Sequence, residues 1–90
     1  MIARTTREVF IADMIAWLNA RLAPPGTVVD ADTALFASGV ISSIKVLELI
    51  AWTERAIGRQ IADRDIRLDN FRTVARIADV FVKEESHAAA

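Results

Sequence analysis

The chain has no cysteine and one histidine, and each scarcity excludes chemistry. Without cysteine there is no disulfide, no thiolate nucleophile and no thiolate metal site, so the fold rests on packing and helix propensity alone. A cysteine-free composition fits a cytoplasmic protein. The histidine, His87, lies in the stretch Glu84-Glu85-Ser86-His87-Ala88-Ala89-Ala90, which reads as a frayed tail. No histidine-based triad or imidazole metal site follows from it. No apolar run is long enough to span a membrane, and Met1-Ile2-Ala3-Arg4 lacks a signal-peptide layout, so a soluble cytoplasmic protein is the expectation. There is also no basic stripe. The net charge is −1 with both signs spread along the chain, which argues against nucleic-acid binding, since nothing here would release counterions from a phosphate backbone. A β signal is missing as well: Thr27-Val28-Val29 is too short and unpaired to build a sheet.

What is present is helical. Ninety residues make one domain, 1–90, with 5–83 as its core. Apolar residues recur at helical spacing from Thr6 to Leu22, through Phe10, Met14, Trp17, Leu18 and Leu22, with Ile11 and Ile15 widening the stripe. Thr5 or Thr6 caps this helix, Glu8 suits its first turn, and Pro24-Pro25-Gly26 stops it. A long connection runs from Ala23 to about Ile41, with Val28, Val29, Leu35 and Phe36 as anchors and a short turn of helix starting at Asp32. A second helix is predicted from Ser43 to about Ala56, closed by Gly58, burying Ile44, Leu47, Ile50 and Ala51, with Val46 and Leu49 on its flanks. The segment Ile61 to Leu68 alternates Arg64, Asp65 and Arg67 around Asp63, its expected cap. It holds one or two turns at most. A last helix from Thr73 or Asn70 to about Lys83 buries Val74, Ile77, Ala78 and Phe81. The fold class is all-α: three main helices and one short one, with a long first loop.

Only one stretch carries chemistry. Gly39 lets the loop turn sharply into Ser42 and Ser43, which open the second helix. The first turn of a helix has unpaired N–H groups and a partial positive charge, so a phosphoryl group is well held there. The plainer reading is that one serine only caps the helix.

The residues around this pair, Asp32, Leu35-Phe36, Gly39-Val40-Ile41-Ser42-Ser43-Ile44 and Leu47, together with the order of helices and Asn70-Phe71-Arg72-Thr73-Val74 before the last one, resemble the acyl carrier protein family. The resemblance covers about residues 5–83 and is similar to the discrete, stand-alone carriers. It implies a small four-helix bundle that is not an enzyme and carries covalent 4′-phosphopantetheine on Ser43. The arm's thiol holds an acyl or aminoacyl group as a thioester. Implied partners are a phosphopantetheinyl transferase and a ligase or synthase of a biosynthetic route, with the carrier itself a monomer. Two departures stand out. Ser42 replaces the aspartate that usually precedes the attachment serine and helps the transferase engage. Lys45 and Arg55 dilute the acidic face of the central helix, so partner contact is expected on the apolar rim of Val40, Ile41, Val46 and Leu49, with Ser42, Ile44 and Lys45 beside it. The alternative is a carrier-like helical interaction domain without an arm.

Other features weigh less. Ser42-Ser43-Ile44-Lys45 matches the Ser-x-x-Lys pattern of acyl-enzyme nucleophiles, but the chain is too short for that fold and lacks its other elements. Asp63, Asp65 and Asp69 are interleaved with Arg64 and Arg67, which is a solvated charged face rather than a cation loop. Trp17 reads as core packing. Trp52 either packs against the third segment or lines a channel for the carried chain, packing being favoured because an aromatic buries large area.

Overall fold

A computed structural model describes residues 6–82. Thr5, Lys83 and the expected tail at 84–90, with His87, lie outside the described residues. The described chain is all helical, with no strand, as expected.

Helix α1 spans Arg7–Arg21. Thr6 caps it, its Oγ1 accepting the Val9 N–H at 3.1 Å. Glu8 in the first turn and Arg21 in the last both suit the helix dipole. Phe10, Met14 and Leu18, four residues apart, form its buried stripe. The chain leaves through Pro24-Pro25-Gly26-Thr27, where the Thr27 N–H reaches the Pro24 carbonyl and Gly26 takes φ +87°. Proline at the second position and glycine at the third are what a type II turn requires.

The long connection is packed down by its own backbone. The Asn19 side chain on α1 accepts the Val29 N–H at 2.8 Å and donates to the Val29 carbonyl at 3.1 Å, which seats Val29 in the core. Val28, expected as an anchor, is instead exposed, because neighbouring residues of an extended segment point opposite ways. Asp30 organises the next turn by accepting the Asp32 N–H and the Thr33 hydroxyl. The expected cap, Asp32, is thus a donor to Asp30. These two bonds, the Asp32 N–H first, hold the Asp30 carboxyl below the usual carboxylate range. Two backbone bonds then fasten the loop to the start of the last helix: the Leu35 N–H to the Arg72 carbonyl at 2.9 Å and the Ala75 N–H to the Ala31 carbonyl at 3.0 Å.

Helix α2 spans Val46–Ile57 and ends at Gly58, whose left-handed backbone and N–H bond to the Glu54 carbonyl make the expected stop. Its buried side chains are Leu49 and Thr53, with Val46, Ile50, Trp52, Ala56 and Ile57 packed against the core. Thr53 is satisfied in place, its hydroxyl donating to the Leu49 carbonyl at 2.8 Å. The expected face of Ile44 and Leu47 is therefore wrong. Apolar residues occur almost all round this helix, and periodicity alone does not say which side meets the core. Trp52 packs on α1, stacked on Trp17 at 5.4 Å between ring centroids and edge-on to Phe10 at 5.6 Å.

The expected one or two turns between α2 and α3 take the form of two 3-10 turns, Asp63–Asp65 and Leu68–Phe71, with Ala62 rather than Asp63 at the first cap position. The charged run offers only Ile61 and Phe71 to the core, too little apolar surface for a longer helix. Helix α3, Val74–Phe81, is capped by Thr73, packs against α1, and buries Val74, Ile77, Ala78 and Phe81. The Phe71 and Phe81 rings meet at 5.3 Å.

Candidate functional site

The serine pair stands at the top of α2, and the residues before it explain why it is held there. Val40 and Ile41 are fully buried, and the Ile41 N–H bonds to the Leu35 carbonyl at 3.0 Å. Gly39 makes the turn into them with φ +84°, a conformation that costs L residues other than glycine about 1–2 kcal/mol. The loop thus plunges into the core at residues 40–41 and emerges at residue 42, where both serines are exposed.

The two serines have different work. Ser42 is the cap: its Oγ accepts the Lys45 N–H at 3.3 Å and its carbonyl accepts the Val46 N–H at 3.0 Å. The Val46 N–H bond to the Ser42 carbonyl closes a first turn over residues 43–45, and the turn after it is tight, Leu47 and Glu48 bonding back three residues, to Ile44 and Lys45. Regular helix therefore begins at Val46, three residues later than the sequence pattern predicts. Ser43 lies inside the first turn. Among the described residues its hydroxyl has no hydrogen-bond partner, and neither its backbone N–H nor that of Ile44 is bonded. An exposed, unengaged hydroxyl beside two unused N–H donors is compatible with a covalently attached phosphodiester, because attachment there breaks no hydrogen bond of the fold.

The surroundings differ from the expected rim. Val40, Ile41 and Leu49 are core residues, so they are not presented to a partner. Val46 is half-buried. Exposed apolar surface near Ser43 comes from Ile44 and Leu47, 78% and 68% exposed. Ser42 is exposed beside them, and Lys45 is half-buried. Leu47 was missed as a surface residue because its spacing from Ile44 equally suits a core stripe. Beside this turn, α1 and α2 flank an open groove of about 560 Å³ whose lining includes Trp17, Arg21, Lys45 and Arg55.

Elsewhere the chemistry is sparse. Among the described residues no cluster of three or more histidine, cysteine, aspartate or glutamate side chains is arranged to hold a metal ion. Asp69 is paired with Arg72 at 3.1 Å and Arg76 at 3.4 Å. No helix among the described residues is long and apolar enough to cross a membrane.

A small all-helical domain that spends one serine on capping and leaves its neighbour free at a helix start has the layout of a carrier domain. The family model described as "phosphopantetheine attachment site" matches residues 11–81, most of the chain, and the chain belongs to that family. Members are defined by covalent 4′-phosphopantetheine, and such carrier domains are not themselves catalytic. Comparison with curated proteins and with solved structures gives no significant match.

Proposed function

We propose that Ser43 bears the 4′-phosphopantetheine arm and that the protein carries an acyl or aminoacyl group between enzymes of a biosynthetic route. The observation that carries this reading is the division of labour at the helix start. Ser42 already supplies the cap, so the plain explanation for a serine here is used up, and the Ser43 hydroxyl is left exposed without a partner. In the loading reaction the Ser43 Oγ attacks the phosphorus of coenzyme A next to the pantetheine. Its proton passes to the transferase, and adenosine 3′,5′-bisphosphate leaves. The bound arm supplies the thiol for thioester chemistry that a chain without cysteine lacks.

The protein's own residues then hold and present. Val40 and Ile41 anchor the approach from below, the N–H groups of Ser43 and Ile44 offer donors to the phosphodiester, and Ile44 and Leu47 present an apolar contact to partners, with Ser42, Lys45 and the edge of Val46 around it. Tethering makes each delivery effectively intramolecular, at an effective concentration on the order of millimolar for a short flexible link. The implied partners are a phosphopantetheinyl transferase and an acyl- or aminoacyl-activating ligase or synthase.

The test is intact-mass measurement after incubation with coenzyme A and a promiscuous phosphopantetheinyl transferase. One arm is expected on the wild type and on Ser42→Ala, and none on Ser43→Ala. A wild type that no transferase modifies would sink the proposal and leave a carrier-like interaction domain.

A further inference from the structure

The groove between α1 and α2 is not used by anything described so far. It holds about 560 Å³, within the range of small-molecule sites. Trp17, Leu22 and Ala51 give it apolar surface, and Arg21, Lys45 and Arg55 give it three cations against one acid, Glu48. Trp17 is held flat by its stack on Trp52. Among the described residues none of the three cations has an ion pair or a side-chain hydrogen bond. By contrast, Arg7 is bound to Asp79, Arg72 and Arg76 to Asp69, and Arg59 to the Phe81 carbonyl. Arg64 and Arg67, also unpaired, belong to the exposed charged segment between α2 and α3.

Position links the groove to Ser43. Its lining along α2 begins at Lys45, two residues past the serine, and runs to Arg55, about 15 Å further by helical rise. An arm on Ser43 is thus tethered two residues from Lys45, the first α2-side residue of the groove.

We infer that this groove is a cargo site for an acyl group bearing a free carboxylate. The inference rests on the carrier reading. A wholly apolar chain lying here would make no use of the three unpaired cations that line the groove. A carboxylate at the end of an apolar stem pairs with the arginines while the stem covers Trp17 and Ala51, and Arg21 and Arg55 are the residues suited to two-point contact with it. Exposed charge pairs are individually weak, but a tethered ligand needs only millimolar intrinsic affinity to occupy the site.

The experiment loads the full chain from adipoyl-coenzyme A and, in parallel, from hexanoyl-coenzyme A, two six-carbon cargos that differ in a terminal carboxylate. Intact mass is scored first, then tryptophan emission, which Trp17 and Trp52 supply, and the rate of thioester hydrolysis. The adipoyl form is expected to change tryptophan emission and to hydrolyse several-fold more slowly than the hexanoyl form. That difference should disappear in Arg21→Gln, Arg55→Gln protein, return in Arg21→Lys, Arg55→Lys protein, and shrink with added salt. Both arginines are exposed, so these variants keep the fold. Absence of any arm in the mass spectrum overturns the carrier reading and the inference with it. Normal loading with identical behaviour of the two cargos overturns the inference alone. If such equality is joined to slower loading of the glutamine variant, the groove serves an acidic partner surface instead.

Discussion

The start of α3 and the start of α2 are built alike and lead into opposite surroundings. Thr73 accepts the Arg76 N–H at 3.0 Å and is followed at once by Val74, which is fully buried. Ser42 accepts the Lys45 N–H at 3.3 Å and is followed by Ser43 and Ile44, which are exposed. The first start is a joint: α3 packs on α1, and the loop hydrogen-bonds to its first turn through Arg72 and Ala75. The second is a platform: its anchors, Val40 and Ile41, lie before the cap rather than after it. One capping device therefore serves cohesion in one place and presentation in the other, according to which side of the cap carries the apolar residues.

Substitutions in α3 and at the start of α2 test that contrast, and the largest effect belongs to α3, the helix that the joint fastens. Phe81→Ala removes a buried ring packed on Phe71 and should cost about 3–5 kcal/mol, a large part of the total stability of so small a domain. In thermal unfolding this is a loss of more than about 10 °C. Thr73→Ala should cost about 1 kcal/mol in denaturant titration. Ser42→Ala should cost less, about 0.5 kcal/mol, because its bond is longer. Ser43→Ala should leave the unfolding midpoint at the wild-type value while losing the arm, since its hydroxyl makes no hydrogen bond among the described residues. If Ser43→Ala destabilised as much as Ser42→Ala, the two serines would share the cap and the contrast would fail.

The platform's apolar pair should likewise matter little to stability. Ile44→Ala and Leu47→Ala should each shift unfolding by no more than about 0.5 kcal/mol, yet raise the transferase KM for the carrier. A destabilisation as large as that of Phe81→Ala would mean that the pair belongs to the core. The smallest effect concerns the loop that joins the two starts. The Asp30 carboxyl is held below its usual range, so the stability it contributes is present above the unfolded-state pKa and fades as pH falls through the lower folded-state value. Asp30→Asn should therefore lower the thermal midpoint at neutral and alkaline pH, converge with wild type in strong acid, and so flatten the fall on the acid side.

Much of the architecture was legible in local pattern. Phe10, Met14 and Leu18 repeat every four residues, Thr6 and Thr73 stand where caps belong, and Gly58 stands where a left-handed stop belongs, so α1 and α3 and the end of α2 followed from neighbours in the chain. The Asn19 clamp on Val29 was not legible, because an exposed asparagine on a helix carries no sign of a partner ten residues away. The outward turn of Ile44 and Leu47 was hidden for another reason. The apolar positions of α2 form more than one stripe, and burial of Leu49 and Thr53 comes from their meeting the core, not from their spacing.

At the site, local chemistry determined that a hydroxyl pair would open a helix behind a turning glycine, because glycine, serine and an apolar-periodic run each state a backbone preference within a few residues. Which serine caps and which is free depended on where the loop left the core. Burial of Val40 and Ile41 sets the register in which Ser42 reaches the Lys45 N–H. The groove of Arg21, Lys45 and Arg55 belongs wholly to tertiary structure, since it exists only where the end of α1 lies beside α2 and no local signal links residues so far apart in the chain.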